Sequence, residues 1–319
     1  MTTSGTYNFS VNRDQIIRGA MINIEKLDEI EQPSPQDIID CSFWLNMLMK
    51  QWMGTKDFAP GLKTWTRRHG YLTLSQLAYE YPLNSSTQGW SNSLILTTLT
   101  AAVSSGSVLA VSSVAGMSVG DNIGVVLDAG YVYWSTIATG GINGLNITIN
   151  GAVPSNAALG AVVYDEGLTL AQQPLEIITA SLRDSSKSDI PLRILTSNQY
   201  DALPNKTDPT NIGDPTAIFY DWQLTQGNLY LDVGGAQDPT KYILLTYLEE
   251  IQDLNNPAET PEYPPEWFLP LTLGLSKLIC PMYHGIWTPD RETNYTAALA
   301  IAQKKGVVVE TAYFQCGED

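Results

Sequence analysis

The chain has 319 residues, with 17 Lys and Arg against 33 Asp and Glu and a net charge of −16. Apolar residues make up 44% and charged residues 16%, which excludes a disordered chain and leaves room for one large or two medium domains. Phosphate backbones repel such a surface, which argues against gripping nucleic acid through a basic face and is compatible with passing DNA without holding it.

The opening "MTTSGTYNFS" has neither a basic n-region nor an apolar h-region, so no secretory signal is expected. No run of about 18 apolar residues predicts a membrane span. Asn12 followed by Gln15 predicts a capped helix over 12–28, with Ile16, Ile17, Ala20, Met21, Ile24 and Leu27 on one stripe. Ser34, Pro35 and Asp37 stand in cap, first-turn and acid order for a second helix over 36–53. Its stripe is Ile38, Cys41, Leu45, Leu48, Met49 and Trp52, and the short connection predicts an antiparallel helix pair. "LKTWTRRHGYLTLSQLAYEYPL" then reads as one or two strands.

Residues 84–166 contain no Lys or Arg and only four acids, Asp121, Asp128, Asp165 and Glu166. Turn signals at 104–106, 119–122, 128–130, 143–146 and 154–156 separate short alternating runs, the pattern of a small all-β barrel or sandwich. The ends of this insert, near Leu83 and Glu166, are expected to be neighbours in space. Beyond Gly167, "PLEIITASLRD" and "IPLRIL" read as strands and "TSNQYDALP" as a short helix. "PTAIFYDWQL", "GNLYLDVGG" and "KYILLTYLEEI" read as an antiparallel meander. Helices are predicted over 265–284, lined by Trp267, Leu271, Leu275, Leu278 and Met282, and over 289–312 behind Thr288, Pro289 and Asp290. The predicted fold class is therefore α+β. A helical-bundle core from the N- and C-terminal helices carries an antiparallel β region and the inserted module. The expected organisation is a discontinuous core of 1–83 and 167–319, an insert of 84–166, and a C-terminal tail of 302–319.

Chemistry-bearing motifs are sparse. His69 and His284 are the only histidines and stand far apart, without Cys or His at metal-ligand spacing. No nucleophile elbow, zinc-protease, P-loop or dinucleotide signature occurs, and "GGINGLNITING" sits between strands and does not open a helix. Acid pairs such as Glu249/Glu250 and Asp165/Glu166 are expected by chance among 33 acids. Cys41, Cys280 and Cys316 read as buried reduced thiols. No catalytic, cofactor-binding or metal-ligating residue is assigned. Arg67 and Arg68 form the one basic cluster, suited to an acidic neighbouring subunit or to DNA phosphate. Trp90, Tyr131, Tyr133 and Trp134 lie in an insert almost free of charge and are candidates for a docking or glycan-binding surface.

Taken together, "FSVNRDQIIRGAMINI", "SPQDIIDCSFWLNMLMKQWM", "SNQYDALPNKT" and "PPEWFLPLTLGLSKLICPMYHG" resemble, in order and spacing, the head–tail adaptor proteins of short-tailed bacteriophages. These are also called head-completion or tail-tubular-A-type connectors. The similarity covers most of the chain outside 84–166, and the insert resembles small β modules of phage tail proteins. The resemblance implies a non-enzymatic virion protein, made in the host cytoplasm and located at the tail vertex. It implies a ring of about twelve copies between the capsid portal and the tail nozzle or tube protein. DNA would pass through the channel without specific binding, with no cofactor and no membrane. The C-terminal residues would reach the portal, making Lys304, Lys305, Tyr313, Phe314, Glu318 and Asp319 candidate portal contacts. The insert would dock a tail fibre or spike protein. A glycan-binding tail adhesin and a cell-wall-degrading enzyme are the competing classes.

Overall fold

The computed structural model describes residues 9–28, 30–54, 66–76, 78–184, 186–208, 210–211, 213–233 and 238–305. It divides into two compact units, one from 1–66 with 251–319 and one from 67–250.

The first unit is helical. Helix α1 (Arg13–Asn23) opens on a capping box. Asn12 accepts from the Gln15 amide at 2.9 Å, and the Gln15 side chain accepts from the Asn12 amide at 3.0 Å. Helix α2 (Pro35–Gly54) is capped by Ser34, whose hydroxyl accepts from the Asp37 amide at 3.2 Å. Two further helices are α4 (Phe268–Ile279) and α5 (Pro289–Lys305); α3 (Ser197–Asp201) belongs to the second unit. Short 3-10 turns at Pro265–Trp267 and Cys280–Tyr283 flank α4, so the long helix expected over 265–284 is a shorter one with tightened ends. Helix α4 packs on α1, α2 and α5. At its centre Trp52 meets Trp267 edge-on at 5.7 Å and Tyr263 at 6.4 Å. Gly274 lets the helices approach, since a Cβ there would lie 3.1 Å from Leu48 Cδ2.

Among the described residues the second unit holds fourteen strands in two sheets and one five-residue helix, α3 (Ser197–Asp201). An eight-stranded sheet is built from β1 (Arg67–Thr73), β2 (Glu80–Leu83), β3 (Trp90–Ser91), β10 (Glu176–Arg183), β11 (Asp189–Leu195), β12 (Ala217–Asp221), β13 (Gly227–Leu231) and β14 (Tyr242–Leu248). Its order is β2-β13-β12-β11-β10-β14-β1-β3. One face buries Leu72, Trp90, Leu182, Leu229, Ile243 and Leu245. The six-stranded sheet runs from β4 (Ile95–Thr98) through β5 (Val108–Ala110), β6 (Asn122–Val126), β7 (Val132–Asn143) and β8 (Asn146–Ile149) to β9 (Val162–Asp165), ordered β4-β9-β6-β7-β8-β5. A bridge between Leu99 and Val111 joins its two outer strands and curls the sheet into a barrel around Leu109, Ile123, Val125, Ile137, Ile147 and Val163. Gly144 with φ 58° forms the tight turn from β7 to β8, where Asn143 pairs with Asn146. A second cluster, Val126, Val132, Tyr164 and Tyr242 with Tyr71 and Trp134 against it, packs the barrel on the large sheet.

This architecture corrects the expected fold class. The chain is mostly β, and the helices do not form a bundle that carries it. The strands were expected, but they join into one sheet from two stretches, 67–91 and 176–248, which the barrel separates, and periodicity cannot show such long-range pairing. The expected meander fails for the same reason. β12 and β13 form a hairpin, but β14 lies between β10 and β1, β13 pairs with β2, and β11 runs parallel to β12.

Candidate functional site

Helix α2 has two apolar faces. Cys41, Leu45, Leu48, Met49 and Trp52 are buried, whereas Ile39, Phe43 and Met47, spaced four apart, are 62%, 60% and 48% exposed. The exposed row borders an open groove lined by Phe43, Asn46, Met47, Lys50, Gln51 and Asp253. The groove wall is held firmly. Asn46 donates to the Leu254 carbonyl at 3.3 Å and accepts from its amide at 3.0 Å, and Lys50 donates to the Ile251 carbonyl at 2.8 Å and pairs with Asp253 at 3.0 Å. A helix apolar on two faces has one face more than its own unit uses. The sequence reading missed this row because it followed only the Cys41–Leu45–Met49 stripe. The i, i+4, i+8 spacing of Ile39, Phe43 and Met47 was the available signal.

The residues singled out from the sequence do not converge. Trp90 lies at 0% exposure in β3, and its ring nitrogen donates to the Gln172 carbonyl at 3.0 Å, so it builds the large sheet and presents no docking surface. Tyr133 packs against the barrel interior and Trp134 on the barrel–sheet contact, both partly buried. Of the four aromatics only Tyr131, 39% exposed, stands outward. Arg67 is exposed at the start of β1, and Arg68 pairs with Glu249, the residue after β14, at 3.0 Å. Lys304 is exposed near the end of α5, and Lys305 is its last residue. Tyr313, Phe314, Glu318 and Asp319, with Cys316, lie outside the described residues.

Cys41 and Cys280 are free and buried, and burial pushes the Cys41 thiol up to about 11. Glu249 is taken up by its ion pair, whereas Asp165 and Glu166 are fully buried at the end of β9. Among the described residues no three His, Cys, Asp or Glu side chains gather to hold a metal ion, and no helix is long and apolar enough to cross a membrane. No family model matches the chain, and no curated protein matches it.

Proposed function

We propose that this chain is a structural, non-enzymatic subunit of a phage tail vertex, assembling with copies of itself into a ring between the capsid portal and the tail nozzle. The observation that carries the reading is the exposed Ile39–Phe43–Met47 row on α2, which fits contact with a second copy of the chain. The likeness in order and spacing to head–tail adaptors supports it, as does a net charge of −16 in a conduit that must release DNA. In this reading the barrel β4–β9 carries a fibre or spike protein and the segment after α5 meets the portal.

The test is the mass of the chain alone and with portal protein. A 34.9 kDa chain in about twelve copies gives a ring on the order of 400 kDa, and Phe43→Glu should abolish the ring without lowering the thermal midpoint of the free chain. A chain that stays monomeric or trimeric with portal present overturns the reading.

A further inference from the structure

The root of the barrel is tied to the large sheet at one buried carboxylate. Glu166 follows β9, where the chain leaves the barrel. Its Oε2 accepts from the Gly89 amide at 3.0 Å, its carbonyl accepts from the Ser91 hydroxyl at 2.8 Å, and its own amide donates to the Asn122 carbonyl at 3.0 Å. Gly89 in turn accepts from the Thr73 amide of β1 at 2.9 Å. One residue therefore links β6 of the barrel to β1 and β3 of the sheet. Its other oxygen, Oε1, is buried with no hydrogen-bond partner, as is Asp165 Oδ2 beside it.

We propose that Glu166 is a protonation-controlled latch: neutral, it closes the joint between barrel and sheet, and ionised, it draws water into that joint and frees the barrel's root. A buried carboxylate anion needs donors on both oxygens, and this one has a single amide. The charges that act on it are themselves acidic. Asp165 is adjacent, and Asp121 on the β6 side acts on Asp165, while the groups bonded to it from the sheet side, Gly89 and Ser91, are uncharged. Burial, opposed by the Gly89 hydrogen bond and aided by Asp165, pushes Glu166 up to about 8, and burial pushes Asp165 up to about 6. Asp165 thus ionises first and makes the second ionisation harder. A carboxyl whose folded value is raised favours the folded state less as pH climbs. Stability falls from the ordinary glutamate value of 4.5 up to about 8 and is level above it.

The latch concerns the joint alone and stands whatever the chain's role in assembly. It is tested on the full chain by following the Glu166 carboxyl carbon by NMR and the hydrogen-exchange protection of the Gly89 amide between pH 4 and 9. The expected result is a Glu166 midpoint near 8 and a loss of Gly89 protection of about tenfold above it, with Val125 in the barrel wall unchanged. Glu166→Gln keeps an acceptor for Gly89 and cannot ionise, so its Gly89 protection should stay level with pH. A Glu166 midpoint near 4.5, a level Gly89 protection in the natural chain, or an equal loss in the variant each overturns the proposal. If the variant does not fold, the two measurements on the natural chain decide.

Discussion

The indole of Trp90 lies against Gly70. The two sit diagonally across β1 and β3, where Leu72 pairs with Trp90, and a Cβ at Gly70 would clash with Cη2 and Cζ3 of the ring. The glycine is therefore the floor on which the largest side chain of this sheet rests, and its lack of a side chain is what Trp90 requires. Gly70→Ala should push the ring off its place and cost about 1–3 kcal/mol, as overpacking does. Trp90→Ala should cost about 3–5 kcal/mol through the cavity it leaves. The double variant should cost less than the two single losses added together, because the alanine fills part of the space the ring vacates. Urea unfolding of the three variants measures this, and strict additivity would show that the pair does not pack as described.

Local order was legible in the sequence, and long-range pairing was not. The caps at Asn12 and Ser34, the helix start at Pro289 and the strand-and-turn spacing between Ile95 and Asp165 are signals within a few residues of one another. Nothing local says that Glu80–Leu83 pairs with Gly227–Leu231, or that Tyr242–Leu248 sits between β1 and β10. Trp90 shows the same limit for the site. Its setting in a polar, weakly charged stretch suggested a surface, and only its pairing with Leu72 reveals a core. The exposed row on α2 was legible, but it needed two faces of one helix to be read at once.

Trp52 anchors the helical unit. It is 2% exposed and packs against Trp267 and Tyr263 from the other end of the chain's sequence. Trp52→Ala should cost about 3–5 kcal/mol, measured by denaturant unfolding followed through helical circular dichroism. A loss below about 1 kcal/mol would remove Trp52 from the core of that unit.

The start of α2 should be sensitive to acid. The Ser34 hydroxyl and then the Tyr283 hydroxyl, donating to Asp37 at 2.6 and 2.7 Å, hold its carboxyl below the usual 3.8. A depressed carboxyl contributes stability that is fully present above 3.8 and is lost as pH falls through its folded value. Asp37→Asn should therefore cost about 1–2 kcal/mol at neutral pH, and the gap from the natural chain should close in strong acid. A gap that stays constant down to pH 2 would contradict this.

DNA binding should be weak and confined to Arg67. Arg68 already holds Glu249, and acids outnumber bases 33 to 17. The Arg68–Glu249 pair is itself part-exposed, so Arg68→Ala should change stability by no more than about 1 kcal/mol. Any retention on DNA at low salt should vanish at physiological ionic strength and fall further in Arg67→Glu. Tight binding that survives added salt would be incompatible with this charge distribution.

Where the barrel can be cut away is decided by Trp90 and Ser91. Residues 84–166 suggest themselves from composition, but removing them takes out β3, with Trp90 from the large core and Ser91 from the Glu166 joint. A shorter excision, replacing 95–165 with a Gly/Ser linker, leaves β3, Glu166 and the Gly89 hydrogen bond in place. Either cut exposes Tyr71 and Tyr242, which the barrel covers, so both variants should melt below the natural chain. Only the longer cut also empties the Trp90 site, and it should lie a further 3–5 kcal/mol or so below the shorter one. Thermal unfolding followed by tryptophan fluorescence separates them. Equal midpoints would mean that β3 contributes nothing to the large sheet, which the burial of Trp90 between Gly70 and Tyr247 does not allow.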